Sequence, residues 1–432
     1  APNVRPLLDT EALDAAQTKL AQAFDLYKEE RSQDFSTIAA MTTEGGVKPT
    51  AQSYRTVVQY LGKSERGNVL AVDVGSAASV LAVAVKGEAV TAIRSDLGLG
   101  HNAQNLLQAI PIAALRRWIP FEIDDAELQN YAANKTLRPA TIPATLRDVY
   151  IEHALLRAAI QTLVTASRPA WTDRATHEFR LIIGGGAALE GVGHPAYSAL
   201  LLLDALQPTG ITQLRLDSFA LIPALGSIAA SHPDAVVQTL AGSSIESLAT
   251  AFCVMGVPRL DKPALRVKIT LNSGDVVEET VHGGHLWVYP LAIGQTAEVR
   301  VRVVGRGLSI NGKARLRLNV TGGSAGLIFD VRGRPLMLAD DVATRAEQMP
   351  VWIAEATGDV VRPIDPDWVQ SLELPSVAAV SAPLSARSAP AKPAALDLAW
   401  LDDAFSLPDE SDNDDDDRPV DELRDLRNAS LS

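Results

Sequence analysis

Val69-Leu-Ala-Val-Asp-Val-Gly75-Ser76 is an apolar run that ends in an acid and a glycine turn. A second run, Ser79-Val-Leu-Ala-Val-Ala-Val85, follows at once, then Lys86-Gly87-Glu88 and a third, Ala89-Val-Thr-Ala-Ile93. Short β-rich runs separated by glycine turns read as an antiparallel meander. Asp73 falls where the first strand ends and the chain must turn tightly. Such a turn presents backbone N–H groups to a phosphate, and a nearby carboxylate can hold a hydrated Mg²⁺. A nucleotide is therefore the first ligand to consider.

Helices are expected on both sides of the meander. Upstream, residues 10 to 31 carry an apolar stripe, and a second helix begins at Thr50, after Pro49, with Tyr54, Val57, Val58 and Leu61 on one face. Downstream, a helix containing Ala103, Leu106 and Leu107 follows Asp96-Leu-Gly-Leu-Gly100, and a longer one covers 145 to 166. Phe179-Arg-Leu-Ile-Ile183 is a buried strand running into Gly184-Gly185-Gly186; then come a helix over 195–206, a strand over 211–216, and helices over 222–231 and 234–241. A meander followed by alternating helices and strands matches a ribonuclease-H-like α/β unit, in which two parallel strands extend the meander into a mixed sheet with helices on both faces.

The pattern changes near Pro258. From Leu265 to Leu338 alternation dominates, as in Val299, Val301, Val303 and in Leu316, Leu318, Val320, so a small all-β sandwich or barrel is expected, with a short helix over 342–348 stopped by Pro350. Pro375 to Pro393 has a linker composition, and the run Asp409 to Asp417 repels itself and reads as a disordered acidic tail. Leu398, Trp400, Leu401 and Phe405 between them offer at most a short docking helix. The expected divisions are thus 1–65 helical, 66–257 α/β, 258–360 all-β, and 361–432 linker and tail.

Charge and cysteine use narrow the function. Net charge is −13, but the 42 residues from Ala391 carry 13 acidic and 4 basic side chains, which leaves the body near neutral, with no basic nucleic-acid footprint. No window of 18 apolar residues marks a membrane span. The start, Ala1-Pro-Asn-Val-Arg-Pro6, has neither a signal peptide's pattern nor a methionine, and reads as a processed or incomplete start. The single cysteine, Cys253, excludes an internal disulfide and a thiolate cluster; its apolar neighbours favour a buried structural thiol, and a reducing, cytoplasmic setting follows.

Two glycine corners carry the chemistry: Asp73-Val-Gly75-Ser76 and Gly184-Gly185-Gly186. In open α/β sheets, ligands sit at the carboxyl ends of strands, where glycine lets another group approach the backbone. Asp73-Val-Gly-Ser-Ala-Ala-Ser79, Ser95-Asp96-Leu-Gly-Leu-Gly100, Leu181-Ile-Ile-Gly-Gly-Gly-Ala-Ala-Leu189 and His194-Pro195 together resemble the glutamate mutase accessory family MutL, also called GlmL. That family is unrelated to the mismatch-repair protein of the same name. It belongs with acetate kinase, sugar kinases, heat-shock chaperone ATPases and actin. The resemblance is good over residues 40–245 and looser over 255–357, where Gly326-Leu-Ile-Phe-Asp-Val-Arg-Gly-Arg-Pro-Leu336 looks like the β-rich extension of some members.

The resemblance implies an actin-like ATPase half-domain, with ATP bound between two ribonuclease-H-like halves. Asp73, Gly75 and Ser76 would form the second phosphate loop, Asp73 orienting Mg²⁺ or water. Gly184, Gly185 and Gly186 would contact adenosine. The first phosphate loop would lie in a half that is missing here or carried by another chain. The implied role is that of a chaperone-like accessory protein acting on a protein partner, a cobalamin-dependent mutase. The loop departs from the family pattern of two glycines, an alanine, two threonines and an aspartate: Ser76 replaces a glycine, Ala78 and Ser79 replace the threonines, and Val80 stands where an acid is usual. Each lost phosphate or metal contact can cost orders of magnitude in rate, so ATP binding outlasts turnover, which is at most that of a weak ATPase.

A non-catalytic scaffold, binding a partner through its β-region and acidic tail, is the alternative. Other candidates are weaker. His282-Gly-Gly-His285 lacks an acid or cysteine in sequence and reads as a turn rather than a metal site. His101 follows the Gly100 turn, within reach of a phosphate, and His153 has no evident partner. Arg332 and Arg334, beside Asp330, either grip an anion or form an internal ion pair.

Overall fold

The computed structural model describes residues 47–168 and 178–369, with a few isolated positions before them. The helix expected over 10–31, and the linker, docking helix and acidic tail expected beyond 369, lie outside the described residues. Helix α1 (Thr50–Ser64) leads into the meander β1 (Val69–Val74), β2 (Ser79–Val85) and β3 (Glu88–Arg94). Its register runs Val74↔Ser79 and Val85↔Glu88. Continuous apolar runs suit these strands because both faces are covered. Leu70, Val72, Val74, Leu81 and Val83 enter one core, while Val69, Ala71, Val80, Ala82 and Ala84 enter the other.

Four helices follow: α2 (Ala103–Ala109), α3 (Ile112–Arg116), α4 (Asp125–Leu137) and α5 (Leu146–Ser167). A reciprocal capping box between Thr145 and Asp148 starts α5. The chain then makes β4 (Leu181–Gly185), α6 (Ala187–Glu190), α7 (Pro195–Leu206), β5 (Gly210–Leu216), α8 (Leu221–Ile228), α9 (Pro233–Ala241) and β6 (Glu246–Cys253). β4 lies parallel to β1, β5 lies parallel to β4, and β6 runs antiparallel to β5. Helices α5 and α7 pack on one face of this sheet; α1, α8 and α9 pack on the other. The sequence reading had no strand at β6. Its burial is complete from Leu248 to Cys253, and the Thr250 side chain spends its hydroxyl on the Thr321 carbonyl.

Beyond Pro258 lie β7 (Pro263–Leu271), β8 (Val276–His282), β9 (Leu286–Tyr289), β10 (Thr296–Val303), β11 (Arg315–Thr321), β12 (Gly326–Asp330), α10 (Val342–Thr357) and α11 (Pro366–Val369). Four of these strands form an antiparallel sheet ordered β11-β10-β7-β8. The other two extend the large sheet, giving β3-β2-β1-β4-β5-β6-β12-β9. The segment expected as a self-contained all-β unit therefore contributes to both sheets. Its β12 pairs in parallel with β6, and Phe329 stacks on Phe252 at 4.7 Å and on Trp287 at 5.3 Å. An unbroken apolar run such as Leu327-Ile-Phe329 suits the interior of a sheet better than an alternating one.

Charge as well as apolar surface fixes β12. Asp330 accepts from Arg332 at 2.8 Å and from Arg334 at 2.7 Å; Arg332 also reaches Asp204 on α7 at 2.8 Å, and Asp204 holds Arg157 on α5 at 2.8 Å. All five are buried. Arg332 and Arg334 thus form an internal network, not an anion grip. Burial opposes the charge on Asp330, yet the two guanidiniums hold its carboxyl well below the usual range. Removing one partner from such a network costs about 3–5 kcal/mol. Helix α10 also runs past Pro350, where the sequence reading ended it. Burial of Trp352, Ala354 and Ala356, with a hydrogen bond from Trp352 to the Gly284 carbonyl, offsets the roughly 3 kcal/mol that an internal proline costs.

Candidate functional site

Three parallel strands end side by side. Asp73, the next-to-last residue of β1, pairs with Gly185, the last of β4. Asp217 follows the end of β5 and donates its backbone N–H to the Gly184 carbonyl at 2.8 Å, continuing the ladder. The two glycine corners, more than a hundred residues apart, therefore share one rim. They also touch. Gly186 has φ +101°, and a Cβ there would sit 2.3 Å from the Val74 carbonyl oxygen, so only glycine permits this approach. Gly185 and Gly186 face Asp73, whereas Gly184 faces Leu189 and Leu202 and serves the packing of α6 and α7.

Acidic groups converge here. Tyr54, on α1, donates its hydroxyl to Asp73 Oδ2 at 2.8 Å. Asp73 Oδ1 accepts from no donor among the described residues and lies 3.1 Å from where a Cβ on Gly186 would stand. Glu190 Oε1 accepts the Gly186 N–H at 3.2 Å. Both oxygens of Asp217 are spent on the start of α8, accepting from Leu221 at 2.7 Å and Ile222 at 2.9 Å. Burial, reinforced by the charge on Asp217, raises the Asp73 pKa, and the Tyr54 hydrogen bond only partly counters it. Burial likewise raises Glu190, with Asp73 and Asp217 adding to the effect. Tyr54 is raised as well, by burial first and by Asp73 next. The site thus carries more negative charge than its surroundings accommodate, and a cation would relieve it.

The turn after β1 is braced from behind. The Leu99 N–H donates to the Gly75 carbonyl at 2.9 Å, and the Gly100 N–H to the Ser76 carbonyl at 2.9 Å. Asn102 holds the carbonyls of Ala77 and Ser95. A Cβ on Gly98 would stand 2.5 Å from the Ser76 carbonyl, and one on Gly100 would stand 2.1 Å from Ser76 Oγ. The block Ser95–Gly100 is therefore the clamp that shapes the loop. Ser76 Oγ is engaged by His101 Nδ1 at 2.8 Å and by the His101 N–H at 3.0 Å. Among the described residues, the N–H groups of Ser76 and Ala77 donate to nothing, and both residues are exposed.

An implied Mg²⁺ can be tested against this donor set. No group of three or more His, Cys, Asp or Glu side chains among the described residues is arranged to hold a metal ion. The two carboxylate oxygens without a donor among the described residues, Asp73 Oδ1 and Glu190 Oε2, fit a Mg²⁺ that keeps most of its waters, not a dehydrated one.

The remaining candidates have other duties. His285 sits between two carboxylates distant in sequence, with Nδ1 2.5 Å from Glu355 and Nε2 2.9 Å from Asp261. His153 is buried against the Tyr197 hydroxyl at 3.0 Å, and burial together with Arg157 lowers its pKa to about 3. Cys253 is buried, its thiol pushed up to about 12, as a structural cysteine should be. Tyr54, Glu190 and Asp217 were missed. Asp217 alone left a signal, an acid between a strand and a helix.

The described residues form a mixed-sheet α/β protein with an acidic, glycine-lined rim where its parallel strands end. A sequence model of the MutL protein family matches residues 1–243, more than half of the chain, and the chain belongs to that family. No curated protein matches it. No helix among the described residues is long and apolar enough to cross a membrane.

Proposed function

We propose that this chain is an ATP-binding accessory protein of glutamate mutase. Its residues 66–257 act as the second ribonuclease-H-like half of an actin-type ATPase. The strand order β3-β2-β1-β4-β5, with helices on both faces, supports that fold reading. The observation that carries the ligand is the pairing of Asp73 with Gly185, which sets both glycine corners on one rim. The open N–H groups of Ser76 and Ala77 receive phosphate oxygens, Asp73 holds hydrated Mg²⁺ through water, and Gly185 and Gly186 let adenosine lie against the backbone. When bound, Mg²⁺ supplies charge neutralisation for the phosphates. A first half-domain, from elsewhere in the chain or from another chain, closes the cleft, and the closure reshapes a surface seen by the mutase.

Calorimetric titration of the full chain with Mg-ATP tests this reading. Saturable binding that weakens at least tenfold in Asp73→Ala is expected. Absence of binding, or equal affinity in the variant, removes the nucleotide. A second reading, a scaffold without turnover, is favoured by one observation. Val80, where related loops carry an acid, is buried in the core beneath α1, so no carboxylate serves the phosphates from that position.

A further inference from the structure

The outer face of the small sheet carries a row of arginines that form no ion pair among the described residues. Antiparallel register sets Arg315 opposite Arg302 and Arg302 opposite Arg266, so three cations stand abreast on β11, β10 and β7. The neighbouring row, Arg317, Arg300 and Lys268, is built the same way but is neutralised. Glu298 lies 2.6 Å from Arg300 and 2.5 Å from Arg317, and Glu278 lies 2.6 Å from Lys268. Among the described residues, no acid pairs with Arg266, Arg302 or Arg315, and all three are exposed. On β8 the register brings Thr280, not a carboxylate, beside Arg266. Like charges directly opposite each other destabilise a sheet. The inner residues of the same strands, Val267, Val299, Val301 and Val320, are ordinary core, so the fold does not require arginine outside.

The row lines an open concavity of about 860 Å³. We propose that it is a docking surface for an acidic, extended segment of a partner protein. Carboxylates at alternate positions of an extended chain lie about 7 Å apart on one edge, within reach of guanidiniums on strands about 4.8 Å apart. Arginine grips carboxylates through two parallel N–H bonds. A nucleic acid suits the surface less well. No Phe, Tyr or Trp side chain lines the concavity to stack a base. The surface stands whether or not the rim of the large sheet takes a nucleotide.

Fluorescence anisotropy of a labelled decapeptide alternating glutamate and serine, titrated with the full chain, tests the proposal. Binding that falls with rising salt is expected, weakened at least tenfold in the triple variant R266S/R302S/R315S. Equal binding in the triple variant overturns it. So does tighter binding of a single-stranded oligonucleotide of equal charge. Thermal melting provides an independent check. Relief of like-charge contacts should leave the triple variant melting no lower than the parent, and a clearly lower melt would contradict the unneutralised row.

Discussion

Asp73 sits half-buried beside Tyr54, with one carboxylate oxygen bonded and the other open. Its raised pKa arises from burial and from Asp217, so its charge weighs against the folded state. A carboxyl with a higher pKa folded than unfolded binds a proton on folding. The resulting loss of stability is absent below the ordinary value of 3.8 and grows as pH rises through the folded value. Asp73→Asn, which keeps an acceptor for Tyr54, should therefore raise Tm at pH 7, with the gain shrinking as pH is lowered. A lower Tm at pH 7, followed by differential scanning fluorimetry, would make Asp73 a structural anchor instead. Asp73 was legible because an acid ends an apolar run before glycine. Tyr54, 19 residues earlier, was not, since only the packing of α1 against the sheet brings them together.

Among the elements, α10 shows how tertiary contacts override local signals. Proline at 350 reads as a stop, but Trp352 and Glu355 beyond it have partners in the loop before β9. Glu355 holds His285 and the Leu286 N–H, tying helix to strand. Burial works against a charged His285, but hydrogen bonds to Asp261 and Glu355 outweigh it and raise its pKa above 6.5. The stabilisation is then fully present below pH 6.5 and is lost as pH rises through the folded value. His285→Ala should lower Tm at pH 6, and the gap to the parent should close toward pH 9. A gap independent of pH would mean that packing, not charge, is lost. The meander, α5, α7 and β5 were legible because their apolar patterns are continuous and are bounded by glycine or proline or by polar residues. Strand β6 was not, because its Glu246-Ser-Leu-Ala-Thr-Ala251 run lacks clean alternation, even though Gly242-Ser-Ser244 and Gly256-Val-Pro258 flank it.

At the scale of the molecule, residues far apart in sequence make one sheet. Strand β12 lies beside β6, and the buried Asp330–Arg332–Asp204 chain locks it to α7, so the change in pattern at Pro258 marks a change of composition within a shared core. The same long-range pairing brings residues 73–78 and 184–190 to one rim. Sequence made the two corners visible separately; their meeting depends on β4 inserting next to β1 after the α2–α5 excursion. Backbone hydrogen exchange of the full chain, with and without saturating Mg-ATP, tests that meeting most directly. Amides of 74–78 and of 184–190 should slow together, while those of β7–β11 stay unchanged. Slowing at one corner alone, or at neither, would contradict a shared nucleotide site.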